Sequence, residues 1–263
     1  MFAVTTALRG TGTLSRRAGE ISRELKVPYL PRDDRRIDEL ILSAGLHGVL
    51  VVGTKRLSYI YPGGEFFFHP GMVKLRINQI LNGKTDQTIK ALDLRPGDSV
   101  IDCTLGLGSD AIVISFMNEG GEVTGVEKSP LVSHIVREGL STYCYGREDS
   151  LMRAMRRINV VCADHGEFLK NQPDRSADLV YFDPMFREPG RKSCAMAALR
   201  PLADYAPLSE EALREALRVA RHRVVVKEAS SSREFSRLGV DYVTGGKYSS
   251  VAYGIIEKRG GRD

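Results

Sequence analysis

Residues 99–110, Ser-Val-Ile-Asp-Cys-Thr-Leu-Gly-Leu-Gly-Ser-Asp, constrain the fold more than any other stretch of the chain. Val100 and Ile101 are apolar and β-branched, Asp102 closes the run, Gly106 and Gly108 follow, and a new apolar-periodic segment begins at Ala111. That order reads as a buried strand, a glycine turn and a helix start. Glycine lets the backbone approach a ligand closely at the carboxyl end of a parallel strand, where open α/β sheets bind nucleotides. The run from Gly106 to Ala111 also fits the looser dinucleotide pattern that ends in alanine, so the turn by itself does not separate one nucleotide-type cofactor from another.

Downstream the pattern alternates strictly. Strands are predicted over 100–103, 122–127, 158–162, 178–183 and 223–227. Helices are predicted over 109–118, 130–143, 165–171, 209–220 and 232–238, with a helical insertion near 148–156. Such alternation implies a mostly parallel sheet with helices on both faces. The last two strands, 240–244 and 250–257, are separated only by residues 245–249 and must pair antiparallel. The fold class is therefore α/β: a doubly wound, mostly parallel seven-stranded sheet closing in a C-terminal antiparallel hairpin. This Rossmann-like plan is that of class I methyltransferases more than of nicotinamide dehydrogenases.

Upstream, residues 1–85 read as a small α/β lobe. It contains a strand at 4–6, helices at 14–26 and 37–44, a strand at 49–52, a hairpin at 59–61 and 66–68, and a helix at 73–81. The boundary falls near residue 85, leaving 86–263 as the larger domain. A chain of 263 residues with 42% hydrophobic content can bury one full core and carry such a lobe. The lobe holds 13 Lys or Arg against 7 Asp or Glu, and the rest of the chain 25 against 26. The positive field thus belongs to the amino-terminal third, which suits either a polyanionic partner or a solvated surface.

No apolar run approaches the ~18 residues of a membrane helix, and Arg9, Arg16 and Arg17 fall where a signal peptide needs its apolar core. A cytoplasmic protein without membrane contact is expected. The four cysteines form no Cys-x-x-Cys pair and have no histidine at zinc-ligand spacing, so no metal is expected and the thiols are read as buried and reduced. Cys103 and Cys162, at strand ends, read as small hydrophobes.

An acid stands at or just beyond four strand ends: Asp102, Glu127, Asp164 and Asp183. In a parallel sheet these ends converge on one edge. Glu127 lies about one βαβ unit after the glycines, where a carboxylate accepts both ribose hydroxyls of an adenosine. Asp164, with His165 beside it, is placed to receive an adenine amino group. Asp102 with Gly106 and Gly108 would face the amino-acid end of S-adenosylmethionine. Any one of these acids, taken singly, would serve equally as a cap on the next helix.

Asp183-Pro184-Met185-Phe186 follows the buried run 179–182 and resembles the Asp/Asn-Pro-Pro-Tyr/Phe motif of methyltransferases that act on exocyclic amines. Such a site needs an acceptor oxygen to orient a weakly basic amine and an aromatic face to stack a base. Asp183 with the Pro184 backbone suits the first task and Phe186 the second.

Residues 99–257 resemble the 16S ribosomal RNA guanine-N2 methyltransferases of the RsmJ family. The resemblance is carried by residues 102–110, Glu127-Lys128, Ala163-Asp164-His165, residues 181–186 with Arg191-Lys192-Ser193, Val224-Val-Val-Lys227, and Gly246-Lys247 leading into Tyr253-Gly254. It implies an S-adenosyl-L-methionine site lined by Ser109, Asp110, Glu127, Lys128, Asp164, His165 and Asp183. It further implies methylation of a guanosine N2 amine, with 16S rRNA or the small ribosomal subunit as partner and Met185, Arg187, Arg191, Lys192, Lys227 and Lys247 toward the substrate. The amino-terminal lobe, with Tyr29-Leu-Pro-Arg32 and Phe66-Phe-Phe-His-Pro70, resembles a subgroup of homologues common in Gram-positive bacteria.

Arg147, Arg153, Arg156 and Arg157, in the insertion, could ring the cleft and hold phosphates or form a solvated helix face. His69, beside Pro70, reads as structural. Two other readings stay open. A nicotinamide-dependent oxidoreductase would account for the glycines and Glu127 but not for residues 183–186. A non-catalytic RNA-binding module could retain the same fold. An N-methyltransferase of another substrate remains the nearest variant of the main reading.

Overall fold

The computed structural model describes residues 1–8, 12–144, 149–185, 199, 202, 204–246 and 249–258. Two sheets are present among them. The first, in the order β1-β2-β3-β4, is built from Phe2–Thr6, Gly48–Val52, Leu57–Tyr61 and Gly64–Phe67. β1 and β2 are parallel and the other pairs antiparallel. β2 is buried along its whole length because both faces are covered. Leu50 and Val52 point into the main core, while Val49 and Val51 meet Ile41 of α2 (Ile37–Ser43), the two-residue alternation of a strand between two layers.

The second sheet has seven strands in the order β10-β11-β9-β8-β5-β6-β7. Its members are β5 (Ser99–Asp102), β6 (Glu122–Glu127), β7 (Ile158–Cys162), β8 (Ala177–Phe182), β9 (Ala220–Ala229), β10 (Tyr242–Gly245) and β11 (Val251–Glu257). β5 to β9 run parallel, β11 is antiparallel to β9, and β10 to β11. The expected C-terminal hairpin is thus formed, with β11 inserted between β9 and β10.

Alternate side chains along these strands feed two separate cores. Val100, Val123, Leu179, Tyr181 and Val225 join one face, and Ile101, Val126, Val180, Phe182, Val224 and Val226 the other. The first face is covered by α5 (Ser109–Met117), α6 (Pro130–Thr142) and α7 (Asp149–Arg156), the second by α8 (His165–Lys170), α9 (Glu210–Val219) and α10 (Glu234–Leu238). Ser129 caps α6 ahead of Pro130, and Ser209 caps α9, satisfying amide groups that a helix leaves without partners.

The core on the first face continues into the amino-terminal lobe, taking in Val4, Ala18, Leu50, Phe66, Phe68, Val73 and Ile77. One close approach is at Gly139 of α6, where a Cβ would collide with the buried ring of Phe68. Phe68 in turn meets Tyr143 edge-on at 5.7 Å.

Of the cysteines, Cys103 is buried as expected, whereas Cys144 and Cys162 are exposed and all three are free thiols. Cys162 ends β7, one of the two edge strands of the sheet, which has a neighbour on one side only. Strand-end position alone did not reveal that edge. Cys194 lies outside the described residues.

Gly139→Ala is expected to destabilise the protein by about 1–3 kcal/mol through overpacking, despite alanine's better helix propensity by about 1 kcal/mol. Urea unfolding measures it, and a second change, Phe68→Leu, should recover part of the loss.

Candidate active site

The carboxyl ends of the parallel strands meet at a cleft of about 340 Å³. Asp102, Glu127, Asp164 and Asp183 all line it, together with Gly106, Ser109, Asp110, Lys128, His165, Pro184 and Met185. Leu199, Leu202, Asp204 and Pro207 supply a further wall. Gly108 is absent from the lining. Its φ of +72° turns the chain into α5, and Gly106, at φ +49°, aims its N–H at Glu127 Oε2, 3.1 Å away. Both conformations are left-handed, which glycine alone adopts without strain. No side chain caps α5.

Glu127 accepts from Gly106 N–H through one oxygen and from Ser129 N–H, at 2.8 Å, through the other. The Lys128 amide adds a third backbone hydrogen bond, and burial raises the carboxyl's affinity for its proton against all three. Asp164 does what a lone acid would be expected to do: its Oδ1 caps α8, accepting from Gly166 N–H at 2.9 Å and Glu167 N–H at 3.4 Å. Its Oδ2 faces the other way, 3.3 Å from Lys128 Nζ, so the cap and the cleft share one carboxylate. Burial alone would raise the Asp164 pKa, but the Lys128 contact and the amide hydrogen bonds bring it below the ordinary value. Lys128 also holds Asp204 at 2.7 Å. Burial lowers the pKa of His165, whose ring meets Phe182 edge-on.

Asp102 is 2% exposed and accepts from the Thr104 N–H at 3.0 Å. Burial pushes its pKa up to about 8, and nearby Asp110 and Asp183 add to the shift. It therefore carries a proton at neutral pH, ready to ionise against a cation.

Behind the cleft lies an ionic network centred on Asp110, in the first turn of α5. Asp110 Oδ2 accepts from Lys227 Nζ of β9 and from the Tyr181 hydroxyl of β8, each at 2.9 Å. Its Oδ1 is paired with Arg76 at 2.5 Å, on α3 (Val73–Leu81). Arg76 also grips both oxygens of Asp86, at 2.8 and 3.0 Å. Asp86 is the cap of α4 (Gln87–Leu92). Lys227 reaches Asp183 Oδ2 at 2.7 Å, and Asp183's own N–H donates to Thr104 Oγ1 at 2.6 Å. Burial would raise the Asp110 pKa, but the Lys227 and Arg76 charges hold it well below the carboxylate range. Burial would lower the pKa of both cations, and the carboxylates around them raise it instead.

Lys227, expected toward the substrate, is thus committed to two carboxylates. Phe186, Arg187, Arg191, Lys192 and Lys247 lie outside the described residues, as does Arg147. Arg153 and Arg156, on α7, and Arg157, just past it, do not ring the cleft. They immediately precede β7 and so stand at the amino edge of the sheet, where Arg157 bonds the Ser115 carbonyl. His69 is structural, accepting from Gly71 N–H at 3.0 Å. Sequence reasoning missed Arg76, Asp86, Thr88 and Tyr253 as members of the site. Thr88 and Tyr253 share a hydrogen bond at 3.1 Å, and Arg76 donates to Thr88 at 3.0 Å. The only written trace was Asp86-Gln87-Thr88, which signals a helix cap.

Because the Asp102 pKa is raised, its carboxyl contributes stability that is full below about pH 4 and is lost as pH rises through about 8. Asp102→Asn, which keeps the acceptor for Thr104, should therefore gain in melting temperature over the parent at pH 9 relative to pH 5.5. Thermal unfolding of the protein without added cofactor at the two pH values measures the difference.

Six acids, Asp102, Asp110, Glu127, Asp164, Asp183 and Asp204, line this cleft, Asp102 in its protonated form, with Lys128 and His165 as the basic side chains. Such a lining favours a ligand bearing positive charge over a pyrophosphate. Comparison with known proteins agrees. The SAM_MT family, described as SAM-dependent methyltransferase, matches residues 66–249. The uncharacterized protein YpiP of Bacillus subtilis is 42% identical over 256 residues, covering 97% of this chain and 98% of that one. Ribosomal RNA small subunit methyltransferase J of Pseudomonas savastanoi is 30% identical over 190 residues, covering 69% and 67% of the two chains. Its counterpart in Cellvibrio japonicus is 31% identical, with this chain spanning 57% of its length. A solved SAM-dependent methyltransferase from Neisseria gonorrhoeae shares the fold, with a TM-score of 0.67 and 20% identity over 100% of this chain and 98% of that one. Fold, cleft and family match converge: the chain belongs to the SAM-dependent methyltransferase family, and its cofactor is S-adenosyl-L-methionine.

Proposed function

We propose that this protein methylates the exocyclic N2 amine of a guanosine in 16S rRNA, in the cytoplasm, with the small ribosomal subunit or its RNA as partner. The observation that carries this reading is the placement of Asp183. It follows β8 directly, in the wall of the cofactor cleft beside Pro184 and Met185, with one carboxylate oxygen held by Lys227 and its N–H held by Thr104. A carboxylate anchored in this way can turn its remaining lone pairs toward an amine in the cleft. Support for RNA as the substrate comes from the relatives named as ribosomal RNA small subunit methyltransferases.

The residues present fit the cofactor. Glu127, at the end of β6 and held by backbone amides, suits the ribose hydroxyls. Asp164 and His165 suit the adenine. Asp102, Gly106, Ser109 and Asp110 suit the amino-acid end, where a cationic ammonium group would draw the proton off Asp102. When bound, S-adenosylmethionine supplies a methyl group already activated by its sulfonium charge. What the chain must add is alignment of the incoming amine and an acceptor for its hydrogen. Asp183 provides that acceptor, and Lys227 fixes its direction.

Burial pushes the Asp183 pKa up to about 6, with the Asp110 charge adding to the shift and Lys227 opposing it. A raised carboxyl pKa means that the accepting, ionised form is lost as pH falls. Methyl transfer to purified small-subunit RNA should show an acidic limb near pH 6, absent in Asp183→Asn. Asp183→Ala should lower kcat by about 10²-fold or more. Mass-spectrometric mapping of ribosomal RNA from a deletion strain tests the target: one N2-methylguanosine should disappear and return on complementation. Complete modification in the deletion strain overturns the assignment.

A further inference from the structure

A second cavity, of about 210 Å³, adjoins the ionic network. It is lined by Arg76, Gln79, Ile80, Thr85, Asp86, Gln87, Thr88, Asp110, Lys227 and Tyr253, and Asp110 lines both spaces. The strand order explains the arrangement. The cofactor cleft draws its strand-end residues from β5, β6, β7 and β8, whereas Lys227 and Tyr253 belong to β9 and β11 on the other side of β8. Asp183, following β8, lies between the two and is joined to the second cavity through Lys227.

The chemistry of this cavity differs from that of the cleft. Its two cations are already matched: Arg76 by Asp86 and Asp110, Lys227 by Asp110 and Asp183. With Arg76 and Lys227 against Asp86 and Asp110, the lining is formally neutral. A phosphate would have to break existing ion pairs to be held there, so the cavity suits an uncharged, multiply hydrogen-bonding ligand. Gln79 and Gln87 are among its lining residues, and a glutamine amide presents a donor and an acceptor side by side. That is the pattern needed to pair with the edge of a nucleobase carrying adjacent donors and an acceptor. Ile80 offers an apolar wall and Thr88 and Tyr253 add hydroxyl groups.

We propose that this cavity seats the acceptor base of the RNA, a guanine unstacked from its neighbours, with Gln79 and Gln87 reading its edge while its exocyclic amine meets Asp183. The assignment rests on the functional reading above, and it adds the place from which the base approaches. An enzyme that modifies a base must take it out of the stack, and a pocket offering edge contacts offsets that cost. The two glutamines also supply the discrimination: a base lacking the matching donors would leave their amides unpaired.

Methyl-labelled protein saturated with S-adenosylhomocysteine and titrated with guanosine 5′-monophosphate tests the placement. The Ile80 methyl resonance should shift saturably, cytidine 5′-monophosphate should leave it unmoved, and Gln87→Leu or Gln79→Leu should weaken the response. With small-subunit RNA as substrate, the same variants should lose about tenfold or more in kcat/KM, the worth of one good base-edge pairing. They should keep the parent's affinity for S-adenosylhomocysteine. An unmoved Ile80 resonance together with unimpaired variants overturns the cavity's role. The identity of the methylated nucleoside is read separately. N2-methylguanosine formed without an Ile80 response leaves the activity standing and removes the cavity. A guanosine-specific Ile80 response with no N2-methylguanosine product keeps the cavity and removes the activity.

Discussion

A carboxylate withdrawn from water must find its full complement of partners within the protein, and Asp110 is the residue on which this requirement falls hardest. It is 7% exposed and is held by Arg76, Tyr181 and Lys227. Those partners stand 34, 71 and 117 positions away in sequence and belong to α3, β8 and β9. One side chain therefore ties the amino-terminal part of the chain to the middle and to the far half of the sheet. Breaking a buried pair by removing one partner commonly costs 3–5 kcal/mol, because the remaining charge is left uncompensated. The network buys little net stability over an apolar core of the same shape. What it does is fix the position of Lys227, and through Lys227 the direction of the Asp183 carboxylate.

The network also divides two electrostatic environments. On one side the acids outnumber the cations, and burial keeps Asp102 protonated, with Asp110 and Asp183 adding to the effect. On the other side cations and carboxylates balance. The two spaces therefore favour ligands of different charge before any shape is compared.

Much of the catalytic sheet was legible because its strands alternate with helices and every strand is bounded by turn or capping residues. The period-two split of Val100 and Ile101, or of Tyr181 and Phe182, between two cores follows from a doubly wound sheet. The strand-end acids were legible for the same reason, since topology alone brings parallel ends to one edge. Charge partners were not. Arg76 sits in a helix whose pattern shows an ordinary half-apolar face, and nothing local marks it as the mate of Asp110. Asp86 was legible as a cap, a true role that hides its grip on Arg76. Cys162 and Arg157 mark the other limit: which strand is outermost, and which edge a residue stands on, depend on strand order.

The insertion of β11 between β9 and β10 has a consequence for the chain as it is made. Synthesis delivers the amino-terminal residues first, and domains fold as their parts become available. When residues 1–127 have emerged, Asp102, Asp110 and Glu127 exist with Arg76 as their one strong counter-charge within this network. Lys227 arrives a hundred positions later, by subtraction of 127 from 227, and Tyr253 later still. β10 cannot join the sheet until β11 is in place beside β9. The nascent chain thus holds a half-neutralised acid cluster until β9 is delivered, and Tyr253, on β11, joins the site in the same event that closes the sheet.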